Sequence, residues 1–202
     1  GVSAGYSIFA RDTDYSRLRL QPFSQNTRGA NLNWSYPITE IQRIGFGIGY
    51  EYLELNLGDY VSSQIIEDFV SANGNWFKSV NFNLNWVKST LNRGIFATRG
   101  TSQRLGLDLS MPGSGLEYYK VTYKGSHLRG LGKQLSLKLR ADLGYGESYG
   151  DTTQMPFFKN FYSGGLGSVR GYKKYTLGPR NSPQGGFYSY SRPTGGNVQI
   201  VL

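Results

Sequence analysis

In the stretch LSLKLRADLGYG, residues 135–146, Leu135, Leu137, Leu139, Ala141, Leu143 and Tyr145 occupy one register, and Ser136, Lys138, Arg140, Asp142, Gly144 and Gly146 the other. Successive side chains of an extended chain point to opposite faces, so this period of two describes a strand with one apolar and one polar face. The alternation recurs at Val2, Ala4, Tyr6 and Ile8, at Ala30, Leu32, Trp34, Tyr36 and Ile38, and at Ile44, Phe46, Ile48, Tyr50 and Tyr52. It continues at Val80, Phe82, Leu84 and Trp86, at Leu105, Leu107, Leu109 and Met111, and at Tyr119, Val121 and Tyr123, while Val198, Ile200 and Leu202 begin an eighth case. An all-β, antiparallel architecture follows. After Tyr52 the apolar positions change phase to Leu53, Leu55 and Leu57, which predicts a bulge or a strand leaving its sheet.

Within the seven complete windows the apolar register carries no charge, while the opposite register holds Arg11, Glu51, Arg104, Asp108, Lys120, Lys124, Lys138, Arg140 and Asp142. Lys78, Lys88 and Glu117 adjoin the apolar register at strand ends. Soluble sandwiches and membrane barrels share such alternation, so strand length and connections must separate them. The windows run about nine to twelve residues, enough for a tilted strand to cross a bilayer, and recur roughly every twenty to thirty residues, wider than sandwich spacing. Short turns at 39–43, 91–100 and 130–134 alternate with connections at 14–27, 58–77, 112–116 and 148–195, three of them long. That asymmetry predicts an up-and-down transmembrane β-barrel, with Tyr36, Tyr52, Trp86 and Tyr119 suited to interfacial belts. A soluble β-barrel is the alternative.

An open sheet edge in lipid costs several kcal/mol per unpaired amide, so the barrel must close. Eight strands can close a small barrel. This sequence begins directly on a strand and ends within the last one, and its first residues do not resemble a signal peptide. The expectation is a piece of something larger.

Composition narrows the chemistry. With no cysteine and one histidine, His127, disulfides, thiolate metal sites and His-based triads have no residues to build them. Twenty-two Lys and Arg against thirteen Asp and Glu give a net charge of +9, which fits acidic lipid headgroups, nucleic acid or a charged cavity. Glu67 and Asp68 adjoin no base, nucleophile or ligand that would suggest hydrolysis. We therefore expect no enzyme, no cofactor and no metal.

The connection at 148–195 contains FYSGGLGSVRGYKKYTLGPR, residues 161–180, with Gly164, Gly165, Gly167, Gly171 and Gly178. Glycines open backbone angles closed to other residues, so this segment suits sharp bends and close approach. It is no phosphate loop, because the lysine-serine ending is missing and no helix follows. RGYKKY has the basic-aromatic mixture of a single-strand nucleic-acid binder, but a loop that is solvated or faces acidic lipopolysaccharide accounts for it better, and no nucleic-acid partner is expected.

The stretch MPFFKNFYSGGLGSVRGYKKYTLGP, residues 155–179, closely resembles the signature loop of the BamA family of outer-membrane protein assembly factors, in which FYxGG precedes VRGF or VRGY. LNRGIFATRGT at 91–101, MPGSGLEYYKVTY at 111–123 and LGYG at 143–146 resemble the same family in the same order. VRGY alone would also fit TamA, the two-partner secretion transporters and the organelle translocases, whereas MPF, NFYSGG and EYYKV together favour the assembly factors. One departure is Ala97, where members commonly have proline, which should loosen that turn slightly.

The resemblance implies a barrel of about sixteen strands, of which this chain would supply about eight, from roughly the fifth to the start of the twelfth. Periplasmic POTRA domains precede such barrels and are not in this sequence. It implies a bacterial outer-membrane location, client β-barrel proteins, accessory assembly lipoproteins reached through the missing domains, and contact with outer-membrane lipid and lipopolysaccharide. The 148–195 loop would fold back into the lumen, where Arg170, in Val169-Arg170-Gly171-Tyr172, pairs with acids on the inner wall. A guanidinium stays charged and offers a rigid fork of donors, so it can pin a loop to a carboxylate. Gly165 and Gly171 would allow close approach and Tyr172 would pack beside the arginine. The family's acidic partner lies on a strand beyond Leu202, which leaves Asp108, Asp142 or water for Arg170 in this chain. Two functional classes stay open: an assembly factor, or a passive pore or transporter barrel whose loop merely constricts the channel.

Overall fold

The computed structural model describes residues 1–15, 23–57, 64–132, 135–180 and 193–202. Of the expected connections, residues 16–22, 58–63, 133–134 and 181–192 lie outside the described residues. Eight strands follow one another in sequence order: β1 (Ser3–Asp14), β2 (Phe23–Thr39), β3 (Gln42–Leu57), β4 (Trp76–Ser89), β5 (Gly100–Ser110), β6 (Tyr118–Gly130), β7 (Ser136–Ser148) and β8 (Val198–Val201). Each pairs antiparallel with the next, forming one open meander.

The register turns sequence alternation into two continuous surfaces. Ala4, Trp34, Phe46, Leu84, Leu107, Val121, Tyr145 and Val198 are successive cross-strand partners, one from each strand, and form an apolar row. Half a pleat away, Ser3, Ser35, Gly45, Asn85, Gly106, Thr122, Gly144 and Gln199 form a polar or glycine row on the opposite face. Tyr6 and Ile8 on the apolar face are each 82 % exposed, and Leu32, Ile48, Tyr50 and Leu139 are exposed with them. Among the described residues none covers this face, as suits a surface solvated by lipid.

The packed core lies elsewhere. Phe23, Leu53, Leu55, Ile66, Phe69, Phe77, Leu116, Tyr118 and Phe157 form one buried cluster at the end of the sheet that carries the long connections. Two expectations are corrected there. The phase change after Tyr52 is not a bulge: Tyr52 pairs with Arg28 and Leu53 with Thr27 without a shift, and the one irregularity between β2 and β3 falls at Pro37/Thr39. Leu53 and Leu55 follow Gly45, Gly47, Gly49 and Glu51 on the same face, which changes from polar to apolar because other segments now cover it. Nor is 58–77 entirely a connection. It contains helix α1 (Gln64–Asn73), whose Ile66 and Phe69 are buried and whose Val70 packs against the cluster, the three-and-four spacing of one helical face.

Candidate functional site

The segment after β7 returns across the polar face of the sheet and packs on it. Glu117, buried at the entrance to β6, organises its start: Oε1 accepts from the Gly113 amide at 2.6 Å, Oε2 from the Asp151 amide at 2.9 Å, and its own amide donates to Thr152 Oγ1 at 2.8 Å. A carboxylate holding two backbone N–H groups joins the 111–117 connection to the loop.

A 3-10 turn, Phe157–Lys159, then plugs the core. The Phe157 ring meets Phe23 and Phe69 edge-on at centroid distances of 5.0 and 5.4 Å, and Phe158 meets Phe69 and Phe77. Beside them Lys159 Nζ lies 3.3 Å from Glu51 Oε1 and 5.6 Å from the centre of the Tyr118 ring. Burial alone would push this ammonium down, but the Tyr118 oxygen and the Glu51 carboxylate outweigh it and hold Lys159 above the ordinary lysine range. The wall answers in kind, because Lys120 Nζ donates to the Lys159 carbonyl at 2.5 Å and covers the Phe161 ring at 4.1 Å.

Phe161 needs a wall without a side chain beneath it. A Cβ on Gly144 would lie 2.6 Å from the Phe161 ring. Beyond, Phe161 and Gly196 exchange two backbone hydrogen bonds, Asn160 Nδ2 donates to the Thr194 carbonyl, and Gln199 Nε2 donates to Ser163 Oγ. Burial, assisted by Tyr15, pushes the Tyr162 phenol up to about 12.

The loop tip turns at Gly164 and Gly165, with φ of 111° and 95°, and closes through the Leu177 amide to the Ser163 carbonyl at 3.1 Å. Gly171 and Gly178 also take positive φ. Gly167 does not take a positive φ; its contribution is a carbonyl that accepts from Arg140 Nη2 at 3.0 Å. The tip and strands β6–β8 enclose a cavity of about 740 Å³ lined by Lys124, Arg140, Asp142, Tyr172, Lys174 and Gln199 among others.

Of the acceptors left open for Arg170, the described residues supply neither acid, and the side chain faces solvent. It is exposed and has no hydrogen-bond or ion-pair partner among the described residues, Val169 is half-buried, and Tyr172 is 56 % exposed. Asp108 and Asp142 do lie on the polar face, but neither meets Arg170. Asp142 is 6 % exposed and gripped by both Arg140 Nε, at 3.1 Å, and Arg140 Nη2, and Asp108 stands directly opposite Lys120 in the β5–β6 register. Arg140 has taken Asp142, and Lys120 faces Asp108 across the register while donating to the Lys159 carbonyl. Glu51, Lys159 and Arg140, which do seat the loop, were not among the expected site residues. Their signal was weak: Glu51 is the last polar position before its face turns apolar, and Lys159 follows two phenylalanines.

Residues 1–200 match the family model of the Omp85 superfamily domain. The chain belongs to the Omp85 superfamily. It is 33 % identical over 190 residues to the outer membrane protein assembly factor BamA of Neisseria meningitidis serogroup B, strain MC58, covering 89 % of this chain and 24 % of that protein. It is 26 % identical over 188 residues to the same-named protein of Nitratidesulfovibrio vulgaris, covering 91 % and 23 %. The chain thus spans about a quarter of the length of these relatives. The crystal structure of BamA from Haemophilus ducreyi lacking POTRA domains 1-3 superposes with a TM-score of 0.87 at 25 % identity, covering 99 % of this chain and 40 % of that one. The eight-stranded meander is therefore a segment of an Omp85-type outer-membrane β-barrel with the architecture of the BamA barrel, and its exposed apolar face is the lipid-facing surface.

Proposed function

We propose that this chain is the middle portion of the barrel of an outer-membrane protein assembly factor, which folds and inserts other β-barrels into the outer membrane by templating and without covalent chemistry. The observation that carries the reading is the seated loop: the segment bearing Val169-Arg170-Gly171-Tyr172 lies on the polar face of the wall, fastened there by Glu51, Lys120 and Arg140. In a closed barrel that face lines the lumen, and a loop held across it serves a moving, client-handling wall better than a simple diffusion path. On this reading client β-barrel proteins and accessory lipoproteins are the partners, reached in part through domains outside this sequence. On the same reading Arg170, unpartnered among the described residues, takes an acid on another wall strand of the complete barrel.

The alternative is a passive pore, or a TamA-type or two-partner secretion barrel, in which the loop constricts the channel. Arg170→Ala in the complete protein, read by the levels of other outer-membrane barrels in cells, separates them. We expect those levels to fall while the variant itself still folds; normal levels of client barrels with normal levels of the variant would remove Arg170 from the mechanism.

A further inference from the structure

We propose that Glu51 and Lys159 form an ionic latch that seats the base of the loop on the barrel wall independently of Arg170. The latch is a matter of geometry and holds whether or not the barrel is an assembly factor. Lys159 is the cation at the innermost turn of the loop, directly after the two phenylalanines that enter the core. Its Nζ reaches Glu51 on β3 at 3.3 Å, with the side chains 23 % and 20 % exposed, so water screens the pair little.

The same residue is held from a second strand. Lys120 on β6 donates to its carbonyl and Tyr118 on β6 faces its ammonium. One loop residue therefore ties β3 to β6 across β4 and β5, and each contact fails if the turn moves by a few ångströms. Arg170, by contrast, is exposed and has no partner among the described residues while the base is seated. A loop whose base docks without its arginine has two separable parts: a fixed plug around 155–163, and a tip beyond Gly164 that Leu177 and Thr194 tie to the rest of the loop and Arg140 ties to the wall through the Gly167 carbonyl. Lys159 is a positioning residue in this account. It touches no client and acts by fixing where the tip begins.

Hydrogen exchange on the complete protein in detergent tests this, because the amides of Lys159, Asn160 and Phe161 are all bonded within the seated base of the loop. Lys159→Gln and Glu51→Gln are each expected to raise exchange across 155–165 by at least about tenfold. Arg170→Ala should leave that segment protected. The double Gln variant should be no worse than either single one, and the exchanged pair, Glu51→Lys with Lys159→Glu, should recover most of the protection. Strand amides in β6 and β7 report whether each variant is folded. The latch is refuted if the single Gln variants leave 155–165 protected in a folded barrel, or if Arg170→Ala loosens it as much as Lys159→Gln. Failure of the exchanged pair to recover protection would reduce Lys159 to packing and overturn the ionic role.

Discussion

Lys159 of the loop and Glu51 of β3 are 108 residues apart in sequence and 3.3 Å apart in the fold. Between them they close the only ion pair joining loop to wall among the described residues, while Arg140 and Asp142 pair within β7. Charge on the polar face is therefore arranged to receive the loop. The wall supplies an acid for the loop's cation and two cations, Lys120 and Arg140, for its carbonyls.

This arrangement sets a pH window. Lys159, facing Glu51, Tyr118 and Lys120, is held above the ordinary lysine value of 10.5, and Tyr162, beside Tyr15 and Tyr175, is pushed up to about 12. A group whose folded value is raised contributes stability that is complete below its unfolded value and is lost as pH climbs through the folded one. The contributions of Lys159 and Tyr162 to seating the loop should thus be complete up to about pH 10 and be lost progressively above it. Tyrosinate absorbance should show a late-titrating fraction that Tyr162→Phe diminishes, with proteolysis at Arg170 rising over the same range. Release of the loop between pH 6 and 9 would contradict this.

Gly144 and Gly5 both belong to the polar face, yet they should respond oppositely to a side chain. A Cβ at Gly5 meets nothing within 4 Å, whereas one at Gly144 strikes the Phe161 ring. Gly144→Val is expected to destabilise the seated loop by about 1–3 kcal/mol through overpacking, and Gly5→Val to leave it in place. Exchange of the Phe161 amide, bonded to the Gly196 carbonyl, reads the difference.

Leu84 and Asn85 are neighbours on β4 that face lipid and the polar side respectively. Leu84→Lys should cost about 2–4 kcal/mol for a charge placed near the bilayer midplane, while Asn85→Lys joins a wall that already carries Lys120, Lys124 and Arg104 and should cost little. Urea titration of the barrel folded into lipid vesicles measures both. Equal destabilisation would mean that the two faces are wrongly assigned.

The strands were legible because lipid on one side and polar space on the other impose strict alternation, as the unbroken row from Ala4 to Val198 records. The cap was not. Leu53 and Leu55 looked like a phase error because the sequence carries no mark of what covers the polar face at that height, and only the placement of α1 and Phe157 gives them a reason. Helix α1 was hidden by its length, ten residues with three core positions. For the loop, the glycines and the VRGY tetrad pointed to the segment that packs on the wall but not to how it is held. An ion pair spanning 108 residues has no local signature, and Asp142 looked available until Arg140, two residues before it, was seen to occupy it.

The most direct test of the account is removal of Phe161–Arg180 from the complete protein, with client-barrel insertion and single-channel conductance measured on the same reconstituted vesicles. An assembly factor whose loop is part of the mechanism should lose client insertion while its own barrel remains in the membrane. Undiminished insertion together with a raised conductance would contradict the account and identify a pore whose loop only narrows the channel.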